Sequence, residues 1–330
     1  MRIQTSLWKN SDKVTKYFCF LASVGYNNEK VETEYAKRGK MIKVIATDMD
    51  GTLLNNNHAI SEKTKQVIKK ACDKGFRFMV VTGRNFIGAW QELKYTDLVC
   101  DYIVSSGAEI RNPDKESILK ITIPLKDCAF VNGIMNKYSI GSMYCAEEKN
   151  YMVGTWEEVD RAILSYIHFF HSNLNMEELK KTKLYDQMWE KTRVVSSFDK
   201  LVVEEKEISK IFLVDTDYEK LERMKKELEK NEELAVTSSF INNIEITNIK
   251  AQKGPILKKY IESLGYRMDE VMVLGDSMND YSMMCMDFGA TVAMANADQQ
   301  IKDVAKYTTR SNEEDGVAYA VEEMMKRYGL

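Results

Sequence analysis

Short apolar runs alternate with amphipathic stretches along most of the chain. The runs are rich in Val and Ile and lie at Val44–Thr47, Phe76–Val81, Tyr102–Val104, Val271–Leu274 and Ala290–Ala295. Such runs are typical of strands that a parallel sheet buries on both faces. Between them, Ser61 and Gly75 bracket one helical pattern, and Pro255 and Gly265 bracket another. This alternation predicts an α/β core with a doubly wound parallel sheet.

The pattern changes between about Ile121 and Ser239, where Lys and Glu are more frequent and helical and strand signals mix. Thr155–Glu158 forms a capping box, which predicts the start of an amphipathic helix. Ile208–Val214 and Ile244–Ile246 both carry strand signals. This mixture predicts a separate α+β module inserted into the core.

The length of 330 residues suits two domains. We predict an N-terminal extension, a core domain in two segments and an inserted domain, at residues 1–40, 41–120 with 240–330, and 121–239 respectively. The extension shows no clear period, and Arg38-Gly39-Lys40 could be encoded by AGG-GGA-AAA, which resembles a ribosome-binding site upstream of the Met41 codon. We hypothesise that Met41 is the biological start, which the intact mass of the native protein would test.

Composition argues against several classes of partner. The 47 basic and 50 acidic residues nearly cancel, to a net charge of −3, so no basic excess indicates nucleic acid. No apolar stretch approaches the roughly 20 residues of a membrane-spanning helix. A signal peptide is disfavoured, because the apolar segment at residues 17–24 is short and lacks a cleavage site. The 6 Cys contain no CxxC pair. We therefore expect a cytoplasmic monomer or homodimer with free thiols and no nucleic-acid or membrane partner.

Two carboxylates, Asp48 and Asp50, follow the first predicted strand, and Gly51 and Thr52 come next. Alternate side chains of an extended chain point the same way, so the two acids can converge at the carboxyl end of the strand. Ligands bind at that end of open α/β sheets, and two acids in different surroundings can serve as nucleophile and proton donor. An ordinary acidic turn is the alternative, because Asp and Gly also suit turns.

Three further segments carry groups that suit a phosphate site. Thr82-Gly83-Arg84 follows the second predicted strand and offers a hydroxyl and backbone N–H groups. Lys253 adds positive charge at a helix start, where free N–H groups favour anions. Gly275–Asp280 offers acids and an amide, which suit a hard cation such as Mg²⁺. Taken singly, each has an ordinary explanation as a helix cap, a solvated lysine or a turn.

Taken together, the four elements resemble the motifs of the haloacid dehalogenase superfamily in order and spacing. Asp48–Thr52 resembles the first motif, Thr82 the second, Lys253 the third and Gly275–Asp280 the fourth. The resemblance extends from Met41 to the C-terminus. An acid at the position of Asp50 is typical of phosphatases and phosphomutases, whereas the haloalkanoate dehalogenases of the superfamily lack it.

The insert resembles the type IIB (C2B) cap of the Cof-like hydrolases. The closing segments of that subfamily are also resembled in this chain, by Ala290–Ala297 and Asp315–Ala318. The resemblance implies a Rossmann-like, doubly wound parallel-sheet core with an inserted α+β C2B-type cap. One position departs from the subfamily pattern, because Ser106 stands where an Asn is usual. Because of this departure, we expect the phosphate chemistry of the subfamily to hold for this chain more firmly than its substrate preference does.

The resemblance also implies a mechanism. Asp48 would attack phosphorus to form an aspartyl-phosphate, and Asp50 would protonate the leaving alcohol and then activate water. We expect a raised pKa for Asp50, because it must be protonated in the first step. The other implied roles are Mg²⁺ binding by the Asp48 carboxylate, the Asp50 backbone carbonyl and Asp276; phosphate binding by Thr82, Gly83 and Lys253; and support from Thr52, Arg84, Asn279 and Asp280.

The implied function is a Mg²⁺-dependent phosphatase that acts on small phosphorylated metabolites. Sugar phosphates are the favoured substrates, and flavin mononucleotide and pyridoxal phosphate are plausible for the subfamily. One alternative is a hexose phosphomutase, since phosphomannomutases share this core and cap. Another is a sugar-phosphate sensor without turnover, although such a protein is expected to lack Asp48 or Asp50, and both are present.

Overall fold

Strands in two sheets organise the part of the chain that the computed structural model describes, residues 41–146, 149–170, 174–203, 207–239 and 242–330. The hypothesis about residues 1–40 lies outside the described residues. The strands, numbered along the chain, are β1 (Val44–Thr47), β2 (Arg77–Val81), β3 (Asp101–Val104), β4 (Glu109–Arg111), β5 (Ser117–Lys120), β6 (Ser142–Cys145), β7 (Asn150–Val153), β8 (Thr192–Val195), β9 (Lys210–Val214), β10 (Leu234–Thr237), β11 (Asn243–Asn248), β12 (Val271–Gly275), β13 (Ala290–Ala293) and β14 (Tyr307–Thr308).

The large sheet has eight strands in the order β14-β13-β12-β1-β2-β3-β4-β5. Its strands run parallel from β14 to β3, and β4 and β5 add an antiparallel edge. β1 lies between β12 and β2, with Val44 in register with Val271 and Arg77. Every residue of β1 is buried, as its unbroken apolar pattern predicts.

Helices pack against both sheets. The α-helices lie at Glu62–Asp73, Phe86–Leu93, Leu125–Tyr138, Trp156–Phe170, Met176–Leu179, Lys183–Lys191, Phe198–Val203, Tyr218–Leu228, Lys253–Ser263, Tyr281–Met284, Gln299–Val304 and Gly316–Arg327, and 3₁₀ turns lie at Ser105–Gly107, Met268–Glu270, Met278–Asp280 and Asn312–Glu314. The helix Glu62–Asp73 begins at the predicted cap, because Ser61 Oγ accepts a hydrogen bond from the Thr64 N–H.

The small sheet has six strands in the order β10-β11-β9-β6-β7-β8, all antiparallel except the β7–β8 pair. Alternate residues of each strand face opposite sides. On β9, Ile211 and Leu213 belong to one buried apolar cluster together with the helix Tyr218–Leu228. Met152 of β7 belongs to another, with Ile163 of the helix Trp156–Phe170. The small sheet therefore has apolar packing on both faces.

The chain passes between the sheets twice, and the two crossings lie side by side. Asn248 Nδ2 donates a hydrogen bond to the Thr122 carbonyl at 3.0 Å, so the end of β11 is joined to the segment that follows β5. Close by in sequence, Gly107 packs against the Gln252 backbone, where a Cβ atom would lie 2.8 Å from the carbonyl carbon. Gly107 also has a φ of +101°, a conformation that glycine adopts without strain.

The predicted α/β architecture is confirmed, and the strands predicted at Val44, Phe76, Tyr102, Val271 and Ala290 are present within a residue or two. The predicted capping box is also present: the Thr155 N–H donates to Glu158 Oε2, and the Glu158 N–H donates to Thr155 Oγ1. β11 pairs in the small sheet, whereas the predicted division assigned residues from 240 onwards to the core. Ile42–Leu330 forms one compact unit, and its division into core and cap domains remains a proposal.

Two chemical features of the described residues accompany this fold. None of their helices combines the length and the apolar character that a bilayer crossing requires. Their cysteines are free thiols, namely Cys72, Cys100, Cys128, Cys145 and Cys285.

Close helix packing at Gly254 gives a first testable prediction. A Cβ atom at this position would lie 2.0 Å from the Ser282 carbonyl oxygen and 2.7 Å from Met286 Sδ. Backbone cannot move aside as a flexible side chain can, so we expect Gly254→Ala to lower the free energy of unfolding by about 3 kcal/mol or more. Urea denaturation measures this change.

Gly133 provides the matched control. It lies within the helix Leu125–Tyr138, and a Cβ atom there would meet nothing within 4 Å. Alanine is the better helix former, so Gly133→Ala should raise the free energy of unfolding by about 0.5–1 kcal/mol. Equal effects of the two substitutions on the free energy of unfolding would show that the close packing at Gly254 does not exclude a Cβ atom.

Candidate active site

The polar groups predicted from the sequence meet at one edge of the large sheet. Asp48 follows β1, Thr82 follows β2 and Asp276 follows β12, and these three strands are neighbours in the sheet. Because the strands are parallel, their carboxyl ends lie together, at the edge where open α/β sheets bind ligands. Lys253 reaches this edge as the first residue of the helix Lys253–Ser263.

The Lys253 ammonium group joins three of these segments. Its Nζ donates hydrogen bonds to Asp48 Oδ1 at 2.8 Å, Asp280 Oδ1 at 2.6 Å and Asn279 Oδ1 at 3.1 Å. The Lys253 side chain has no exposed surface, and Asp48 and Asp280 are buried as well. Burial opposes the charge, but the carboxylates of Asp280 and Asp48 raise the pKa of Lys253 above its ordinary value, so the group stays cationic.

Asp280 and Asp276 occupy the loop after β12. Asp280 Oδ2 accepts hydrogen bonds from the backbone N–H groups of Asp276 and Ser277, at 2.9 and 3.2 Å. Thr52 Oγ1 donates to Asp276 Oδ1 at 2.6 Å. Gly51 lets the chain pass close to the Asp276 carboxylate, because a Cβ atom at position 51 would lie 2.4 Å from Asp276 Oδ2. Its φ of +75° is also a conformation that glycine adopts without strain.

The carboxylates carry more negative charge than the protein compensates. Oxygens of Asp48, Asp276 and Asp280 lie within 4.8 Å of one another, and among the described residues only the Lys253 ammonium forms an ion pair with any of them. Burial and then the charge of Asp280 raise the pKa of Asp48 to about 7, and burial with Asp280 and Asp48 raises the pKa of Asp276 well above its ordinary value.

This excess charge fits a cation. Asp280 already directs one oxygen to Lys253 and the other to two backbone N–H groups, which leaves Asp48 and Asp276 as the available carboxylate ligands. Carboxylate oxygens are the ligands that hard divalent cations such as Mg²⁺ prefer. The residues therefore suit the implied metal, and Asp280 acts on Lys253 and the loop instead.

Asp50 differs from Asp48 in its partner. The Arg84 guanidinium binds both of its oxygens, with Nε to Oδ2 at 2.8 Å and Nη2 to Oδ1 at 2.7 Å, and also donates to Glu92 Oε1. Although burial opposes the shift, Arg84 holds the pKa of Asp50 below its ordinary value. The expectation of a raised pKa for Asp50 is therefore wrong for this arrangement, because sequence spacing does not reveal the ion pair.

Thr82, Gly83 and Arg84 form a turn that we call the β2 loop. The Arg84 N–H donates to Thr82 Oγ1 at 3.2 Å, and the Thr82 side chain is buried. The Gly83 N–H has no hydrogen-bond acceptor among the described residues. A free N–H and a hydroxyl at the carboxyl end of a strand are groups that can bind a phosphate oxygen.

The turn after β3 carries Ser106 in the place of the usual Asn. Ser105 and Ser106 have φ angles of 51° and 59°, in the left-handed region that Asn adopts more readily than Ser. Ser106 Oγ donates to Glu245 Oε2 at 3.1 Å. The hydroxyl therefore contacts a residue of β11 in the small sheet.

Three residues near the predicted site carried no signal in the sequence. Lys210 Nζ donates to the Gly83 carbonyl at 2.6 Å and pairs with Glu245 Oε2 at 3.2 Å. His58 Nδ1 lies 3.8 Å from Asp50 Oδ1. Glu245 alternates with apolar residues on β11, a pattern equally typical of a solvent-exposed sheet face, and Lys210 is only the first residue of the apolar strand β9.

The chain is similar to known proteins over most of its length. A family model of haloacid dehalogenase-like hydrolases covers residues 45–321. A 5-amino-6-(5-phospho-D-ribitylamino)uracil phosphatase of Bacillus subtilis (strain 168) is 31% identical over 280 residues, which cover 85% of this chain and 94% of the relative. The phosphatase YwpJ of the same organism is 29% identical, with coverage of 86% and 100%.

Solved structures share the fold. A haloacid dehalogenase-like hydrolase from B. subtilis superposes with a TM-score of 0.74 and 27% identity, covering 85% of this chain and 99% of its own. A subclass IIB sugar phosphatase superposes with a TM-score of 0.68 and 24% identity, covering 87% and 99%. The chain therefore belongs to the haloacid dehalogenase-like hydrolases, and it is a phosphatase of that family.

The buried Lys253 ammonium gives a second prediction. Lys253→Met leaves the Asp48 and Asp280 carboxylates without their cation, and removal of one partner from a buried ion pair costs about 3–5 kcal/mol. We expect a loss of this size in the free energy of unfolding, measured by urea denaturation without added metal. Lys259→Met, at an exposed position of the same helix, should change it by less than about 0.5 kcal/mol. Similar losses of unfolding free energy in both variants would contradict a special contribution of the buried Lys253 ion pairs to stability.

Proposed function

We propose that this enzyme hydrolyses phosphate esters of small metabolites through an aspartyl-phosphate on Asp48. The observation that carries the proposal is the position of the Asp48 carboxylate, 2.8 Å from the buried Lys253 ammonium and in one cluster with Asp276. A carboxylate nucleophile needs nearby positive charge to approach an anionic phosphate. The β2 loop follows β2, which is the neighbour of β1 in the sheet, and it would bind the phosphate oxygens.

Two displacement steps use the two acids in turn. In the first, an Asp48 oxygen bonds to phosphorus, the bond from phosphorus to the alcohol oxygen breaks, and Asp50 gives its proton to the alcohol. In the second, water attacks phosphorus, its proton passes to Asp50, and the bond from phosphorus to Asp48 breaks. Because Arg84 lowers the pKa of Asp50, we infer that Asp50 separates from Arg84 when it holds its proton.

Lys253, Thr82 and Gly83 would hold the transferred phosphate. All three protons of the Lys253 ammonium already have acceptors, so a phosphate oxygen must replace one of them. We propose that it replaces the Asn279 amide oxygen, which is the most distant at 3.1 Å and the only uncharged one. The Thr82 hydroxyl and the Gly83 N–H would bind the remaining oxygens as charge accumulates on them.

The metal role follows the same charge argument. We propose that Asp48, Asp276 and the backbone carbonyl of Asp50 hold Mg²⁺, with Thr52 orienting Asp276. When bound, the ion would offset the repulsion between the nucleophile and the phosphate.

We favour phosphate esters of polyhydroxylated carbon chains as substrates. By its name, one of the B. subtilis phosphatases reported above acts on a phosphorylated ribityl compound, and a structural neighbour is a sugar phosphatase. Sugar phosphates and flavin mononucleotide belong to this chemical class, and pyridoxal phosphate is a further candidate. We expect the enzyme in the cytoplasm, because its described cysteines are free.

Replacement of the nucleophile tests the mechanism. Asp48→Asn should lower phosphate release by about a thousandfold or more, because an amide cannot form the phosphoenzyme. The exposed Asp73→Asn variant should keep wild-type activity. Phosphate release from a panel of sugar phosphates, flavin mononucleotide and pyridoxal phosphate provides the measurement. Retention of most activity by Asp48→Asn would refute the mechanism, and transfer between sugar hydroxyls without phosphate release would indicate a phosphomutase.

Metal binding can be tested without substrate. A cation that binds only the folded protein raises its unfolding temperature in proportion to the logarithm of its concentration. We expect Mg²⁺ to raise the unfolding temperature of the wild type, and Asp276→Asn to remove most of that increase by losing a charged ligand. Asp303→Asn, at an exposed position on the helix Gln299–Val304, is the control. An equal Mg²⁺ response in both variants would exclude Asp276 as a ligand.

A further inference from the structure

Every backbone carbonyl of the β2 loop is held by a donor outside the loop. The Thr82 carbonyl accepts from the Ser106 N–H at 3.0 Å, and the Arg84 carbonyl accepts from the Ser105 N–H at 2.7 Å. Between them, the Gly83 carbonyl accepts from Lys210 Nζ at 2.6 Å. A carbonyl oxygen carries partial negative charge and would repel a phosphate. In this arrangement all three carbonyl oxygens of the loop are instead hydrogen-bonded to donors outside it.

Lys210 also fixes the plane of one peptide group. The peptide between Gly83 and Arg84 is planar, so its carbonyl and its N–H point in opposite directions. Lys210 holds the carbonyl, and Thr82 Oγ1 holds the Arg84 N–H at 3.2 Å. The Gly83 N–H belongs to the preceding peptide group, whose Thr82 carbonyl accepts from the Ser106 N–H, and it remains free to meet an anion. The contact from Lys210 is the only one of these that comes from the small sheet.

Glu245 places the Lys210 ammonium and makes a second contact with the same region. Its side chain is 3% exposed, and its Oε2 pairs with Lys210 Nζ at 3.2 Å. The same oxygen accepts from Ser106 Oγ at 3.1 Å, and Oε1 accepts from Ser239 Oγ at 2.6 Å. The pair therefore reaches the β2 loop directly at Gly83 and indirectly through Ser106.

The turn that Ser106 occupies needs such support. A non-glycine residue in the left-handed region is strained and persists only where its surroundings hold it there, and Ser105 and Ser106 are both in that region. These two residues supply the N–H groups that hold the Thr82 and Arg84 carbonyls. The hydrogen bond from Ser106 to Glu245 is thus part of what keeps the donors of the loop in position.

We propose that Lys210 and Glu245 are positioning residues for phosphate binding, which make the β2 loop competent only when the small sheet is docked against it. Neither residue has to touch the phosphate. Lys210 sets the Gly83 peptide, and Glu245 holds Lys210 and the Ser106 turn. The inference rests on the proposed phosphatase function, because it assigns the β2 loop to phosphate.

Substitutions separate positioning from general stability. Lys210→Met removes the ammonium and keeps an unbranched chain, but it leaves the buried Glu245 carboxylate unpaired. The double variant Lys210→Met/Glu245→Gln removes both charges and keeps an acceptor for Ser106, so it is the variant to rely on if the single one fails to fold. Lys210→Arg keeps a donor that can reach the Gly83 carbonyl. Lys226→Met, an exposed lysine on the helix Tyr218–Leu228, is the matched control.

The readouts are kcat and KM for p-nitrophenyl phosphate and the inhibition constant of inorganic phosphate, with thermal unfolding to verify folding. We expect KM and the inhibition constant of the double variant to rise by about ten- to a hundredfold, the effect of one lost charge-assisted hydrogen bond. We expect kcat to stay within about threefold, because binding is weakened in ground state and transition state alike. Lys210→Arg should recover much of the affinity, and Lys226→Met should match the wild type.

Failure of the inference is distinct from failure of the proposed function. Absence of Asp48-dependent phosphate release by the wild type would refute the function. An active wild type with an unchanged inhibition constant for phosphate in the folded double variant would overturn the positioning role alone. A fall in kcat at unchanged KM would overturn it too, because it would assign Lys210 and Glu245 to the chemical step.

Discussion

The crowding of three carboxylates, two buried and one half-buried, beside one buried ammonium group is the constraint on which the site depends. Asp48, Asp276 and Asp280 meet because β1 and β12 are adjacent parallel strands. Like charges this close are unfavourable in a buried place, and Lys253 with two backbone N–H groups offsets only part of the cost. The uncompensated part lies on Asp48 and Asp276, and it makes the site receptive to a cation.

The site contains two polar networks, and they differ in origin. The network of Lys253 lies within segments attached to the large sheet, whereas that of Lys210 and Glu245 comes from the small sheet. The first brings together the groups assigned to chemistry, and the second holds the loop assigned to phosphate. Both use a buried lysine with carboxylate partners, which is favourable only while the surrounding acceptors stay in place.

The large sheet and the positions of its polar ends could be predicted because every residue of a strand such as β1 is buried, so its apolar run is unbroken. The edge strands β4 and β5 lacked this signal, since the residues of β5 are exposed or half-buried. The role of Glu245 was hidden for a related reason, because an alternating strand does not show which polar face is covered. The pairing of Asp50 with Arg84 spans 34 positions, and no local pattern predicts its effect on the pKa.

The two crossings of the chain between the sheets lie next to each other. The chain leaves the large sheet near Thr122 and returns after Asn248, and a hydrogen bond joins these two points. Both covalent connections between the sheets therefore lie together, and away from this place only non-covalent contacts join the sheets. The fit between the small sheet and the β2 loop is therefore carried by side-chain contacts, such as the one from Lys210 to the Gly83 carbonyl, rather than by the course of the chain.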